Sequence, residues 1–418
     1  MDLAGPRLDP RDHLKDRAPR IMDQASNATQ KTSAIILLMT MTLLGVFPLD
    51  VILPSFPALA ERFQTSSADI ALSVSLFAIG LSFSLMLVGP LSDSLGRKKL
   101  LLGGMSVALV GAAGCVVASQ YSWFLFFRVV QAMGCGCFVL SQALVQDLFE
   151  GKEQERLRIA MVTASGIFIS LSPLFGTWLQ ERLGWQGSFE VFAAIGLLVI
   201  LMAWLLLENT PGTAKGRQRN IFAAYRLVCA EPRFVGYWLI SALAFACHFS
   251  FIVTSPIIFM EQLQLSPYQY SLVLLLYGAA YILGGFAAGA MNRHLRASTQ
   301  IIAGLLLIAL SGLLMLFLQR FEPSASGVLL PMIVCTAGTT ITRPVATSRA
   351  MGLFPQNAGT SASAGNMIIF TCGGLISGFI NLASDNLAMA LGLCFLVLST
   401  SALGLNSLVN RHNQRACA

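Results

Sequence analysis

Twelve long apolar stretches separated by short polar breaks run along the chain. The first six cover residues 33–57, 69–92, 99–119, 122–148, 157–180 and 187–207. A polar stretch follows, and six more cover 234–260, 268–291, 299–319, 326–349, 358–381 and 386–409. A helix crosses a bilayer with roughly 20 predominantly apolar residues. In hydrocarbon, a lone segment must satisfy its backbone polar groups internally, which a helix does. The pattern therefore predicts an all-α integral membrane protein with twelve transmembrane helices.

Composition strengthens this reading. Of 418 residues, 55% are hydrophobic and 11% charged, against about 25% charged in soluble domains. Mean hydropathy is +0.71. The net charge of +7 does not point to nucleic acid, because no basic stripe interleaved with aromatics occurs. Instead the charge falls in particular breaks. Those after spans two, four, six and eight hold Arg97, Lys98, Lys99, Lys152, Arg156, Arg158, Lys215, Arg217, Arg219, Arg226, Arg293 and Arg296. The alternate breaks hold Arg62, Arg182 and Arg320. The positive-inside rule puts the first group, and both termini, in the cytoplasm.

The organisation follows. Residues 1–32 are polar, lack the apolar core of a signal peptide, and read as a disordered cytoplasmic tail, with Met22 a second candidate start. Residues 33–207 form an N-terminal six-helix bundle, 208–233 a cytoplasmic linker, and 234–410 a C-terminal six-helix bundle. Gly89 at the end of span two and Gly289 at the end of span eight are a faint trace of two pseudo-symmetric repeats. Parallel repeats of this kind hold substrate near the midplane between them.

Ionisable groups within spans mark function. Among twenty carboxylates, Asp50 in FPLDVILPSFP lies deepest in an apolar run. Low dielectric disfavours a charged carboxylate, so Asp50 can take a proton from one side and release it to the other. Pro48 and Pro54 loosen the helix around it, as is tolerated where a helix lines a cavity. A static ion pair with an arginine is the alternative. Arg128, His248 and Arg343 share the interior. Arg128 keeps its charge, so it must face a partner or a cavity. It either biases Asp50 or holds an anionic substrate group. Ala132, Gly134 and Gly136 after it allow close helix contact.

Two further stretches stand out. In GPLSDSLGRKK, Gly89 permits close packing and Asp93 can pair with Arg97 or cap a helix; the loop suits conformational control. In GIFISLSPLFG, Gly166, Pro173 and Gly176 permit a bend and tight packing.

These motifs resemble the major facilitator superfamily and, within it, the Bcr/CflA group of drug:proton antiporters. The resemblance runs from about Ile35 to the C-terminus. GPLSDSLGRKK is similar to the superfamily's loop motif, with Gly89, Asp93, Gly96 and Arg97 in place and Ser94 where a basic residue is common. FRVVQAMG is similar to the span-four motif and places Arg128 on an arginine linked to proton coupling. GIFISLSPLFG resembles the antiporter motif of span five, with Ser172 replacing the usual glycine. LDVILPSFP resembles the group's span-one signature and gives Asp50 the proton site. His248 and Arg343 depart from the group. If Arg343 faces the cavity, an anionic substrate such as a siderophore-like metabolite is favoured over a hydrophobic cation. Otherwise it snorkels to the headgroups.

The function these readings imply is a proton-coupled exporter of small amphipathic molecules such as drugs, in the inner membrane of a bacterium. Asp50, Arg128 and His248 would couple protons. Phe47, Phe77, Gln131, Phe245, Tyr277, Arg343 and Asn366 would line the cavity. An exporter of an anionic metabolite and a proton-coupled nutrient importer are the alternatives. The expected partners are a small-molecule substrate, protons and the bilayer; no nucleic acid, metal or cofactor is expected, and the protein is read as a monomer. Nine scattered cysteines read as packing residues. A membrane enzyme is disfavoured, since His13, His248, His294 and His412 do not converge in sequence, and no Walker motif for a primary pump appears.

Overall fold

The computed structural model describes residues 17–207, 221–291, 294–321, 323–354, 357–382 and 386–417. Among these residues twelve helices are long and apolar enough to cross a membrane. We number them α1 (Lys31–Phe63), α2 (Ser67–Gly89), α3 (Arg97–Val117), α4 (Tyr121–Leu148), α5 (Gly151–Leu183) and α6 (Gly187–Leu206) in the first half. The second half holds α7 (Pro232–Gln262), α8 (Pro267–Met291), α9 (Ala297–Leu318), α10 (Ala325–Gly352), α11 (Gly359–Asn381) and α12 (Leu387–His412). All twelve apolar stretches thus appear as helices.

Two boundaries differ from the hydropathy pattern. The helix containing α1 begins at Arg17, inside the stretch read as disordered. Pro19 sits in its first turn, where a missing N–H is tolerated. Residues 1–16 and 208–220 lie outside the described residues. The rest of the linker is not merely a connector. Ile221–Cys229 forms a short helix, and Tyr225 donates a hydrogen bond to the Met86 carbonyl on α2 at 2.9 Å.

Helices α1–α6 pack among themselves, as do α7–α12, and the two groups meet chiefly through α2 against α11 and α5 against α8. Equivalent contacts recur in both halves. Where α3 crosses α4, a β-carbon on Gly134 would lie 2.2 Å from the Ala108 nitrogen. Where α9 crosses α10, one on Gly338 would lie 2.4 Å from the Gly304 carbonyl oxygen. Small residues let backbones approach where no hydrophobic effect drives helices together.

The ends of the molecule differ. We call the end carrying Arg97, Lys98 and Lys99 the basic end. At the opposite, far end the halves are tied by hydroxyl contacts: Ser75 with Ser377 at 2.8 Å, Thr177 with Ser271 at 2.6 Å, and Ser67 donating to Glu261. Ser271 also donates to the Pro173 carbonyl at 3.0 Å. Toward the basic end α2 and α11 stay together, since a β-carbon on Gly89 would meet Ser363 at 3.1 Å. The α5–α8 pair separates there: Gly166, Gly285 and Gly289 have nothing within 4 Å of a β-carbon position. Gly89 and Gly289, matched in the repeat, therefore sit in different surroundings.

Candidate functional site

The first half of the site is built by a break in α1. Its helix ends at Asp50, a short 3-10 turn spans Leu53–Ser55, and a new helix runs Phe56–Phe63. Pro54 explains the break, because it offers no N–H to the carbonyl of Asp50 four residues earlier. Carbonyls at such a helix end need other partners. Arg128 supplies one: its Nη2 donates to the Pro48 carbonyl at 3.1 Å. Its Nη1 donates to Gln131 Oε1 at 2.8 Å, and its guanidinium lies 4.4 Å from the centre of the Phe77 ring. Arg128 is fully buried.

The space around Arg128 is almost filled. About 10 Å³ remains among Phe47, Arg128, Gln131, Ser188 and Phe192, at most the room of one water. Arg128 therefore does not hold a substrate group in this conformation. Phe47, Phe77 and Gln131, read as cavity-lining, are buried instead. Phe47 packs against Phe168, Phe175 and Phe192. They form the support of the broken helix rather than a binding wall.

Asp50 itself is only partly covered. It makes no ion pair or hydrogen bond among the described residues, so a static pair with Arg128 is not what holds it there. Two tyrosines of the other half, Tyr270 and Tyr277, lie within electrostatic reach of Asp50. The Tyr277 hydroxyl hydrogen-bonds to His248 Nδ1, and the two rings stack with centroids 5.5 Å apart. His248 is thus linked to the region of Asp50 through Tyr277, and shares no contact with Arg128.

The second half of the site is a chamber of about 610 Å³ between α8 and α10, a size typical of small-molecule pockets. Thr339, Arg343, Thr347 and Met351 line it at four-residue spacing, with Thr340, Pro344 and Ser348 beside them and Tyr281 and Gly285 opposite. Arg343 faces this chamber rather than the headgroups. Its guanidinium sits 4.7 Å from the Phe245 ring centre. Of the residues read as cavity-lining, Arg343 alone lines this chamber; Phe245 and Tyr277 are buried behind it, and Asn366 on α11 is outside its lining. The stripe in TTITRPVATSRAM was visible in the sequence as hydroxyl and basic residues every fourth position. Periodicity alone did not say which face of α10 they take.

The motif residues also find their places. The helix of α2 runs on past the span to Leu95 and is capped by Gly96 with φ 85°, a left-handed conformation that favours glycine. Arg97 pairs with Asp147 and donates to the Ala143 carbonyl, both on α4. Among the described residues its carboxylate partner is Asp147, fifty residues on. The Asp93 side chain lies outside the described residues. Lys98 Nζ donates to the carbonyls of Trp204 and Leu207 at 2.7 and 2.6 Å, capping α6. In α5, Pro173 and Gly176 meet the broken helix and α8, while Gly166 faces open space, so the tight packing expected there is absent.

Comparison with known proteins agrees with this architecture. The family model described as Major Facilitator Superfamily matches residues 36–378. The chain belongs to the major facilitator superfamily, a family of transporters rather than enzymes. It is 26% identical over 266 residues to an uncharacterized MFS-type transporter, YdgK, of Bacillus subtilis, covering 62% of this chain and 66% of that one. It is 23% identical over 316 residues to the multidrug resistance protein MdtL of Shewanella oneidensis, covering 75% and 80%. MdtL of Escherichia coli matches at 23% over 321 residues, with the same coverage. Among solved structures, the fold is shared with a bacterial homolog of the human lysosomal transporter Spinster in an inward-facing, unoccupied conformation. That match has TM-score 0.70 and 17% identity, and covers 91% of this chain and 97% of the other.

Proposed function

We propose that this multi-pass secondary transporter exports small amphipathic molecules, drugs among them, in exchange for protons. The observation that carries the reading is Asp50: a carboxylate at a helix break inside the membrane span, partly accessible and without an ion-pair or hydrogen-bond partner among the described residues. Such a group changes protonation without breaking a structural contact. The distant resemblance to MdtL supports export and a drug-like cargo.

Alternating access gives the cycle its geometry. The positive-inside rule makes the basic end cytoplasmic, and the far-end hydroxyl ties close the opposite side. Cargo then enters the α8–α10 chamber from the cytoplasm. Opening the far end requires Thr177 and Ser271 to part, and a proton arriving there neutralises Asp50 as cargo leaves. Transport in everted membrane vesicles tests this. Wild type should accumulate drug when a proton gradient is imposed, and Asp50→Asn should not, while folding normally. Gradient-driven accumulation by Asp50→Asn at the wild-type rate would overturn the reading. Uptake into whole cells that depends on Asp50 would reverse its direction.

A further inference from the structure

The α8–α10 chamber carries a feature that proton exchange does not need. Arg343 Nε is buried without a partner, and the guanidinium makes no ion pair or hydrogen bond among the described residues. None of the residues lining the chamber is acidic. The side chain as a whole is only partly covered, but a shielded Nε and a charge without a counter-ion leave it incompletely compensated. It is held here only by the face of Phe245, a weak substitute. Arg128, the other interior arginine of the spans, also has an unpartnered Nε, but its two Nη groups have acceptors, which those of Arg343 lack among the described residues. Arg343 instead presents an empty planar fork to an open chamber, with the hydroxyls of Thr347 and Ser348 one turn away. That fork matches a carboxylate with two parallel hydrogen bonds. Aromatic surface adjoins it: Tyr281 lines the chamber, and behind it the His248 ring lies tilted at 46° with centroids 5.4 Å apart.

We propose that this chamber is an anion subsite that takes the carboxylate of an aromatic, carboxylate-bearing cargo on Arg343, with the aryl group against Tyr281, the aromatic side chain of its lining. The proposal rests on the reading above that the chamber receives the exported molecule. It narrows the cargo from amphipathic molecules in general to aryl acids, and it sets hydrophobic cations at a disadvantage.

Three probes of one size separate charge from shape: 1-naphthoate, 1-naphthamide and 1-naphthylmethylammonium. Their binding to the full-length protein would be measured calorimetrically in phosphatidylcholine nanodiscs. A charge-assisted pair predicts naphthoate binding at least about tenfold tighter than the amide, with the ammonium weakest. Arg343→Gln should abolish that preference, and Arg343→Lys should recover part of it. Equal binding of acid and amide in wild type, or binding of neither, overturns the proposal without reference to any variant's folding. Repeating the titration with phosphatidylglycerol in the discs distinguishes a lipid headgroup. An unchanged naphthoate preference supports a soluble cargo. An Arg343-dependent loss of it would give the site to lipid and overturn the cargo assignment. If wild type exchanges no protons for any drug yet keeps an Arg343-dependent preference, the antiport reading fails and the anion site stands.

Discussion

Gly176 lies directly against the carbonyl of Val51: a β-carbon on it would sit 2.3 Å from that oxygen and 3.3 Å from Pro54 Cδ. The break in α1 that exposes Asp50 is thus wedged by a helix that must carry no side chain at this point. The neighbour is backbone, which cannot rotate away. Gly176→Ala should therefore cost about 1–3 kcal/mol by overpacking and slow proton-linked transport. Gly166→Ala, in the same helix but facing open space, should be neutral or stabilise by about 0.5–1 kcal/mol through helix propensity. Thermal unfolding in detergent would show the two alanines moving the midpoint in opposite directions; equal shifts would refute the wedge.

Arg128 and Asp50 are functionally separable. Arg128 stitches α4 to the broken helix through the Pro48 carbonyl and Gln131. Asp50 makes no such bond. Arg128→Ala should lose about 1.5–3 kcal/mol for each charge-assisted hydrogen bond and lower the unfolding midpoint. Asp50→Asn should leave that midpoint unchanged while abolishing proton coupling. A matching loss of stability in Asp50→Asn would show that Asp50 is a structural group after all.

The Arg97–Asp147 pair at the basic end is only partly covered, with the side chains 27% and 42% exposed. Solvent screening therefore limits its energy to about 0.2–1 kcal/mol. Its effect should appear in the balance of conformations rather than in stability. Arg97→Asp should slow transport severalfold at an unchanged unfolding midpoint. Adding Asp147→Arg should restore part of the rate, short of wild type because the bond to the Ala143 carbonyl stays lost. No recovery in the double variant would remove the pair from the mechanism.

The far-end closure rests on hydroxyl groups between the halves. Thr177→Val with Ser271→Ala deletes the 2.6 Å contact between them and the bond to the Pro173 carbonyl. At about 1 kcal/mol for each of these two hydrogen bonds, the population open at the far end should rise by about thirtyfold. Spin labels at positions 62 and 264, exposed at that end, would report it as growth of a longer distance component. An unchanged distance distribution would mean that other contacts hold the closure.

Most of the architecture was legible because hydrocarbon imposes a length on each span, and one aspartate in such a run has few innocent explanations. What was not legible depended on which helix face meets which neighbour. Hydropathy could not tell that Phe77 and Gln131 face Arg128 rather than a cavity, since an all-round apolar helix has no marked side. The partner of Arg97 was hidden because Asp147 is near it only in the folded bundle. Arg343 could have faced headgroups or chamber, and the stripe of Thr339, Thr347 and Met351 decided it only once α8 was placed opposite. Gly166 matched its motif yet packs on nothing, because the α5–α8 pair is parted at the basic end.

The central claim is that Asp50 exchanges a proton in step with cargo. The most direct measurement is proton release from purified protein in weak buffer when hydrophobic cations, neutral antibiotics or aryl carboxylates are added. The account predicts release by wild type with at least one class that binds, and none by Asp50→Asn. Binding without release in wild type, or equal release from Asp50→Asn, would contradict it.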